Sequence, residues 1–599
     1  MAALVMLYTS GLDKFALDFL ESMMLKLCLM VMGKSIENPK PSGLGGYQNF
    51  GGQNMQSPHG INFSGFRPSA MGRNGMVTSG HMLASQAGVQ AILAGGNAVD
   101  AAVATAAALG VVEPAGSGVG GDGFILIYWA ETGTVTGVNA TGPAPYAATR
   151  ELYLKDGGIP MKGIRSVSVP GIADGWLKAH ERYGALKLEQ AFEPAISLCE
   201  NGFPISHNLA GGLRGENPRF AQDPYTRPIF TNNGDPPKSG EIIYNKNLGK
   251  TLRKIAAEGR GTLYEGEIAR AIVEFSEKYD GLLTEKDLAD YHARWSEPIH
   301  TNYRGYEVYE MPPNSSGHIL LQELNIVEQF DLQSMGCNTA ESVHLMVEAK
   351  KLSFADREKY MADPDWVDVP IKGMLSKDYA KMQAKRIDPN RAATDVPSGG
   401  PEQFEDTTCF CTADGAGNAV CVLQSIQSGF GSSLVAGDTG ILLNNRMTYW
   451  HLEADHPNCL MPGKRVRHTM NPVIVTKDGK PFLICGTPGA DTQVQTNLQL
   501  ITHVVDFGMT PQEAVEAPRW RNLQNPMEST IPHTCEDALQ LEGRFPEDVR
   551  SGLAQRGHDL RILGDWDGPG SAQAIQIDSD SNALIGGSDP RRDGYAVGW

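Results

Sequence analysis

The run "RIDPNRAATDVPSGGPEQFED", residues 386–406, divides this chain into two textures and so limits what it can fold into. It carries Pro, Gly, Asp and Glu without apolar periodicity, which predicts an exposed connection. Upstream, over 250–390, apolar residues recur at helical spacing, as in "HILLQELNIVEQFDL" (318–332) and "ESVHLMVEAKKLSFADREKYMAD" (341–363). Downstream, "TTCFCTAD" and "NAVCVLQS" alternate around "GAGN", a hairpin pattern. Strands are also predicted in "HTMNPVIVTKDGKPFLICGTPG" (468–489), turning at Asp478-Gly479, and near 571–586, with a helix over 491–508. Earlier, "GHMLASQAGVQAILAGGNAVDAAVATAAALG" (80–110) reads as two Ala-rich helices. The first stops at Gly95-Gly96, and the second is capped by Asn97 with Asp100 in its first turn. "EPAGSGVGGDGFILIY" (113–128) is a glycine-rich turn feeding an apolar strand. Strands that pair with strands, with helices in separate runs, predict a layered α+β fold.

Composition excludes several functions. The formal charge of −18, with no Lys/Arg block, argues against a nucleic-acid surface. Nine cysteines without C-x-x-C spacing give neither a disulfide framework nor a zinc site, and Cys409 and Cys411 read as buried thiols on one strand face. The glycine loop at 115–123 lacks G-K-[ST] and leads into a strand, so it is no phosphate cradle. Near the N-terminus, "FALDFLESMMLKLCLMVM" (15–32) is interrupted by Asp18, Glu21 and Lys26, too charged for a membrane span, and no basic region with a cleavage site precedes it. It reads as an amphipathic helix followed by a Gly/Asn/Gln/Ser-rich linker over 41–60. Residues 1–70 are therefore expected to be a poorly structured extension, and the protein to be cytoplasmic.

Thr407 and Thr408 open the first strand after the connection. A threonine hydroxyl needs a base to become nucleophilic. If the bond between Asp406 and Thr407 is cut, the freed α-amine of Thr407, with a pKa of about 8, becomes that base. No histidine, metal or organic cofactor is then required. "GTPGAD" (486–491) ends a strand and opens a helix, so the N–H groups of Gly489 and Ala490 are candidate oxyanion donors. Polar residues among glycines in "FGSSLVAGDTGILLNNRM" (430–447) and "GKRVRHTMNP" (463–472) are candidate substrate contacts.

The blocks "GGNAVDAAVAT", "GVGGDGFILI", "MPPNSSG", "DTT", "VAGDTGILLNN", "MNP", "GTPGAD", "EAPRW" and "GSDPR" stand in the order found in the γ-glutamyltransferase (glutathione hydrolase) family, and the chain resembles that family over roughly 75–599. The resemblance implies an N-terminal-nucleophile αββα sandwich made from one self-cleaving precursor. The large subunit would be 71–406 and the small subunit 407–599, forming a heterodimer that can pair further. It implies that Thr407 is the nucleophile, that Ser425 supports it, and that Gly489 and Ala490 stand where the family has two glycines. It also implies an amide-cleaving acyl transfer on a small molecule.

In the substrate pocket the chain departs from its family. The family's carboxylate-binding arginine is replaced by Thr141, an asparagine by Gln427, the acid that receives the substrate amine by Tyr449, and two serines by His468 and Thr469; Cys409 stands where a histidine is common. A threonine cannot make a bidentate charge-assisted contact. Arg446, His468 and Arg467 bring positive or switchable charge instead, as if for an acidic group placed differently. The pattern resembles the branch of small-amide hydrolases and acylases, with water as the second nucleophile. A glutathione hydrolase or transpeptidase with an altered pocket, and a non-catalytic scaffold, are the alternatives.

Overall fold

The structure is a computed structural model and describes residues 55–56, 62–63, 66–393, 407–524, 526–528 and 531–599. Asp406 and the rest of 394–406 lie outside the described residues, as do the segment 15–32 and most of 41–60. Met55–Gln56 and Asn62–Phe63 pair as a short ribbon within Met1–Ser64. The fold below is that of Gly65–Trp599.

Two seven-stranded sheets carry the fold. In chain order their strands are β1 (Ala70–Gly72), β2 (Gly75–Ser79), β3 (Asp122–Trp129), β4 (Thr134–Ala140), β5 (Arg294–Ser296), β6 (Ile299–Tyr303) and β7 (Tyr306–Glu310). After the connection come β8 (Thr408–Asp414), β9 (Ala419–Ser425), β10 (Val473–Lys477), β11 (Lys480–Gly486), β12 (Gln573–Ile577), β13 (Leu584–Ser588) and β14 (Tyr595–Gly598). One sheet has the order β14-β2-β8-β9-β3-β4-β5, the other β6-β7-β10-β11-β12-β13-β1, with every neighbour antiparallel.

Side-chain alternation explains the layering. Cys409, Cys411, Cys421 and Leu423 point between the sheets and meet Phe124, Leu126, Ile474, Ile484 and Ile575. Phe410, Val420 and Val422 point the other way, onto a helical layer. That layer includes α1 (Met82–Leu93), α2 (Ala98–Val112), α3 (Ile172–Tyr183) and α4 (Leu188–Asn201). The outer face of the second sheet (Val308, Val473, Val475, Leu483) packs on α5 (Gly317–Val327), α6 (Ala340–Tyr360) and α7 (Gln493–Val505). Helix, sheet, sheet, helix is the αββα order. β8 and β9 are buried along their whole length, as strands covered on both faces must be.

α2 acts as a strap along β8. Asn97 caps it with a full capping box shared with Asp100. At that end Asp414 Oδ2 accepts from Ala98 N (2.9 Å) and Thr412 Oγ1 donates to Ala98 O (2.7 Å). At the other end Thr408 Oγ1 donates to Glu113 Oε2, 2.7 Å away. Fifteen helical residues span about 22 Å and seven strand residues about 23 Å, so helix and strand match in length. α1 lies close beside α2: a Cβ on Gly88 would come within 2.3 Å of Thr105 Oγ1.

The helix predicted over 318–332 stops at Val327, and Asp331 caps a separate turn, Leu332–Met335. The asparagine cap, the 408–425 hairpin and the Asp478-Gly479 turn appear where the sequence placed them.

Strands from before and after the connection interleave. β8 and β9 lie between β2 and β3, and β10 to β13 lie between β7 and β1. A chain cut before Thr407 is therefore expected to elute as one particle in native buffer and to separate only in denaturant, and each piece expressed alone is expected to be insoluble. Two separate peaks in native gel filtration would refute this. Asp414→Ala, which strips acceptors from Ala98, Ala416 and Asn418, should destabilise the protein by about 2–3 kcal/mol, read as a lowered Tm.

Candidate active site

Thr407 stands directly before β8 and is 4% exposed. Its Oγ1 donates to Ser425 Oγ at 3.1 Å, and the same oxygen accepts from Gln427 N at 2.8 Å. Ser425 ends β9 beside β8, so the hairpin itself brings the two hydroxyls together. A Cβ on Gly121 would lie 2.5 Å from Ser425 O, and one on Gly120 2.2 Å from Leu442 O, so the glycine-rich turn is bare because backbone presses against it. Gln427 has φ +86°, a left-handed conformation that costs a non-glycine residue on the order of 1–3 kcal/mol and is common at functional sites.

Gly489 and Ala490 follow the end of β11 and open a 3-10 turn leading into α7. A Cβ on Gly486 would sit 2.6 Å from Cys409 Sγ, so β11 ends over the start of β8, at the same end of the sandwich as Thr407. Ala490 adopts φ +41°, so it keeps the N–H while taking a conformation better suited to glycine. The Gln493 amide is satisfied with its nitrogen toward Thr469 O (3.2 Å) and its oxygen toward Ala490 N–H (3.3 Å). That long bond is weak enough for a stronger acceptor to displace.

Asp122 opens β3 in register with Ser425 and is fully buried. Gly142 N donates to its Oδ1 (2.9 Å), while Oδ2 lies 3.4 Å from Arg446 Nε and 4.0 Å from His468 Nε2. Burial raises its pKa to about 6, against the opposing pull of Arg446. Arg446 is 1% exposed, stands over the Tyr449 ring at 4.7 Å, and its Nε and Nη2 make no hydrogen bond. Both ring nitrogens of His468 and both side-chain polar atoms of Gln427 are likewise buried without partners. Burial, reinforced by Arg446, holds the His468 pKa well below that of an ordinary histidine. His468 is therefore neutral near pH 7 and supplies no switchable charge, contrary to the sequence expectation.

Thr141 is sealed rather than presented: its Oγ1 donates to Asn139 Oδ1 (2.7 Å) and accepts from Asn314 Nδ2 (3.2 Å). Arg465 Nε donates to the Thr141 carbonyl at 3.2 Å. Tyr449 Oη and Thr469 Oγ1 are 3.4 Å apart. Asn314 O accepts from His468 N (2.7 Å) and Ser316 Oγ donates to His468 O (2.6 Å), so the "MPPNSSG" loop holds the 465–470 segment by its backbone.

Arg467 faces the opposite way from His468. Its Nε donates to Glu528 Oε2 at 2.5 Å and its Nη2 to Glu358 Oε2 at 2.7 Å. It is a structural cation and not one of the pocket's charges. Beyond it a cavity of about 500 Å³ is lined by residues including Trp450, His451, His456 and His533. Sequence reading missed Asp122, Asn314 and Arg465. All three sit inside stretches it quoted, and for Asp122 an acid at the head of an apolar strand was the available signal.

Among the described residues three groups bring potential metal-ligand atoms within 4.8 Å of one another: Cys409/Cys411/Cys421, His344/Glu348/His558 and Glu358/His451/His456. The thiols are packed between the sheets, Glu348 already holds Lys351 and Ala393 N, and His456 Nδ1 accepts from Asn458 N. None of them includes Thr407 or Ser425.

Residues 84–599 match the family model described as Gamma-glutamyltranspeptidase. The chain is 40% identical over 532 residues to the Glutathione hydrolase-like YwrD proenzyme of Bacillus subtilis (strain 168), covering 88% of this chain and 99% of that one. It is 35% identical over 553 residues to the Acylase ACY 1 proenzyme of Pseudomonas sp. (strain SE83), covering 90% and 96%. The crystal structure of cephalosporin acylase from Bacillus halodurans superposes with a TM-score of 0.82 at 36% identity, covering 91% of this chain and 99% of that chain. By sequence, by fold and by a hydroxyl pair at the head of its central hairpin, the chain belongs to the gamma-glutamyltranspeptidase family.

Proposed function

We propose that this protein is an autoprocessed N-terminal-nucleophile amidohydrolase whose nucleophile is Thr407. The carrying observation is the Thr407 Oγ1–Ser425 Oγ hydrogen bond at the head of a strand directly after the connection. The proenzyme names of the relatives support the same reading.

In maturation, Thr407 Oγ1 attacks the carbonyl carbon of residue 406. The C–N bond breaks, the nitrogen takes a proton, and an ester forms. Water then hydrolyses that ester, leaving the Asp406 carboxylate and a free α-amine on Thr407. In turnover the amine takes the Oγ1 proton as Oγ1 attacks the substrate amide. Ser425 Oγ, held by Gln427 N–H, keeps Oγ1 oriented. The N–H groups at Gly489 and Ala490 are the candidate donors to the tetrahedral oxyanion. The leaving amine collects the proton, and water, deprotonated by the same α-amine, releases the acyl group as an acid.

The altered contacts at Thr141, Gln427, Tyr449, His468 and Thr469 favour an acyl group other than a standard γ-glutamyl. A glutathione hydrolase or transpeptidase with altered contacts stays in view, because several relatives carry the name glutathione hydrolase.

Incubated at neutral pH, the wild type should give two masses that break between Asp406 and Thr407, and Thr407→Ala should give one. An uncut wild type would overturn the reading. On any amide that is turned over, kcat/KM should rise as pH increases through about 8, as the α-ammonium loses its proton. Ser425→Ala should lower kcat by about tenfold, the cost of one hydrogen bond to the nucleophile.

A further inference from the structure

The residue after the nucleophile is held by a device that the chemistry above does not use. Successive side chains of a strand point to opposite faces, so Thr407 meets Ser425 while Thr408 shares its face with Phe410, toward the helical layer. Thr408 Oγ1 donates to Glu113 Oε2 at 2.7 Å, the length of a charge-assisted hydrogen bond.

Glu113 stands against the local electrostatic rule. It is the C-cap of α2, beside the last carbonyls of the helix, where the macrodipole is negative and an acid is disfavoured. Its neighbours are arranged around it. Arg592, in the turn between β13 and β14, places Nη1 3.6 Å from Glu113 Oε1. Gly80, one residue past β2, is bare at this point: a Cβ there would lie 2.8 Å from Glu113 Oε2 and 3.2 Å from Thr408 Oγ1. A helix end, a strand end and a turn from the far end of the chain therefore converge on one threonine hydroxyl. A neutral acceptor would satisfy that hydroxyl equally well, and breaches of a local rule gather at functional positions.

Self-cleavage is the step that needs the stronger grip. As Thr407 Oγ1 closes on the carbonyl carbon before it, a small ring forms through the Cβ, Cα and N of Thr407. That closure twists the backbone at the head of the strand. If residue 408 follows the twist, the strand end frays and the strain is lost; if it stays fixed, the strain remains on the bond under attack.

Building on the reading above, we propose that Glu113, held by Arg592, is a positioning residue for maturation: its carboxylate fixes Thr408 and so clamps the C-terminal side of the bond that Thr407 attacks.

The full-length chain, made in a short cell-free pulse and sampled on denaturing gels, gives the rate of the cut. The Tm of each variant is read in the Thr407→Ala background, where nothing is cut. Thr408→Val, which keeps the shape and removes the hydroxyl, should slow the cut about tenfold or more, and Thr408→Ser should restore it to within about threefold of wild type. Thr412→Val removes the hydroxyl at the far end of the same strand, where Oγ1 donates to Ala98 O, and should lower Tm comparably but slow the cut less than about threefold. Arg592→Gln should slow the cut with little change in Tm, because a partly exposed ion pair adds little stability. Equal slowing in Thr408→Val and Thr412→Val, a Thr408→Val rate near that of wild type, or no rescue by serine overturns the proposal and leaves the amidohydrolase reading intact. Should Thr408→Val fail to fold, Glu113→Gln, which keeps an acceptor oxygen without the charge, decides: a slower cut at unchanged Tm supports the clamp, and a wild-type rate overturns it. A wild type that stays uncut overturns the amidohydrolase reading and the clamp together.

Discussion

The position of Thr407 depends on α2 being tied to β8 at both ends. At one end Asp414 and Thr412 hold the start of the helix; at the other Glu113, just past its last turn, holds Thr408. A seven-residue strand between neighbours on both sides is already stiff. The strap adds a rigid rod of equal length, so the first residue of the strand has little freedom to drift. Self-cleavage needs that stiffness. The attacking oxygen has to stay on the carbonyl before it while the peptide between them is distorted, and a frayed strand end would relax instead.

The electrostatics beside the strand are set by a few buried charges. Asp122 is pushed toward neutrality by burial and pulled back by Arg446. His468 is pushed the other way and stays uncharged. The result is an Arg446–Asp122 pair beside a neutral histidine.

Much of this was legible in the sequence because the decisive signals were local. Asn97 before an Ala-rich run is a cap in any context, and Asp478-Gly479 makes a hairpin turn because both residues accept positive φ, here +52° and +77°. Alternation in 408–425 predicted the hairpin; the Thr407–Ser425 pair was expected from the family resemblance, and the hairpin register accounts for it. Pairings between distant segments were not legible. Nothing near Arg446 announces that Asp122 will stand opposite it, and nothing separates Arg467 from His468 until the 465–470 segment is laid against the "MPPNSSG" loop. Thr141 looked like a lost contact, whereas the structure shows it closed into a network with Asn139, two residues before it, and with Asn314 from a distant segment. The early stop at Val327 depends on how the chain turns after α5, which apolar periodicity does not record.

The 465–470 segment also divides its labour along the chain. Its backbone is fastened by Asn314 and Ser316, and the side chain of Arg467 locks it from behind through Glu358 and Glu528. The His468 side chain makes no hydrogen bond to the fold and packs edge-on against the Phe124 ring, 5.6 Å away. The Gln427 side chain likewise makes no hydrogen bond. Side chains that carry no hydrogen bond of the fold can be exchanged without breaking one, while their neighbours are fixed in place. Such an arrangement lets descendants of one scaffold drift from one amide to another by single steps, each passing through a folded and self-maturing protein.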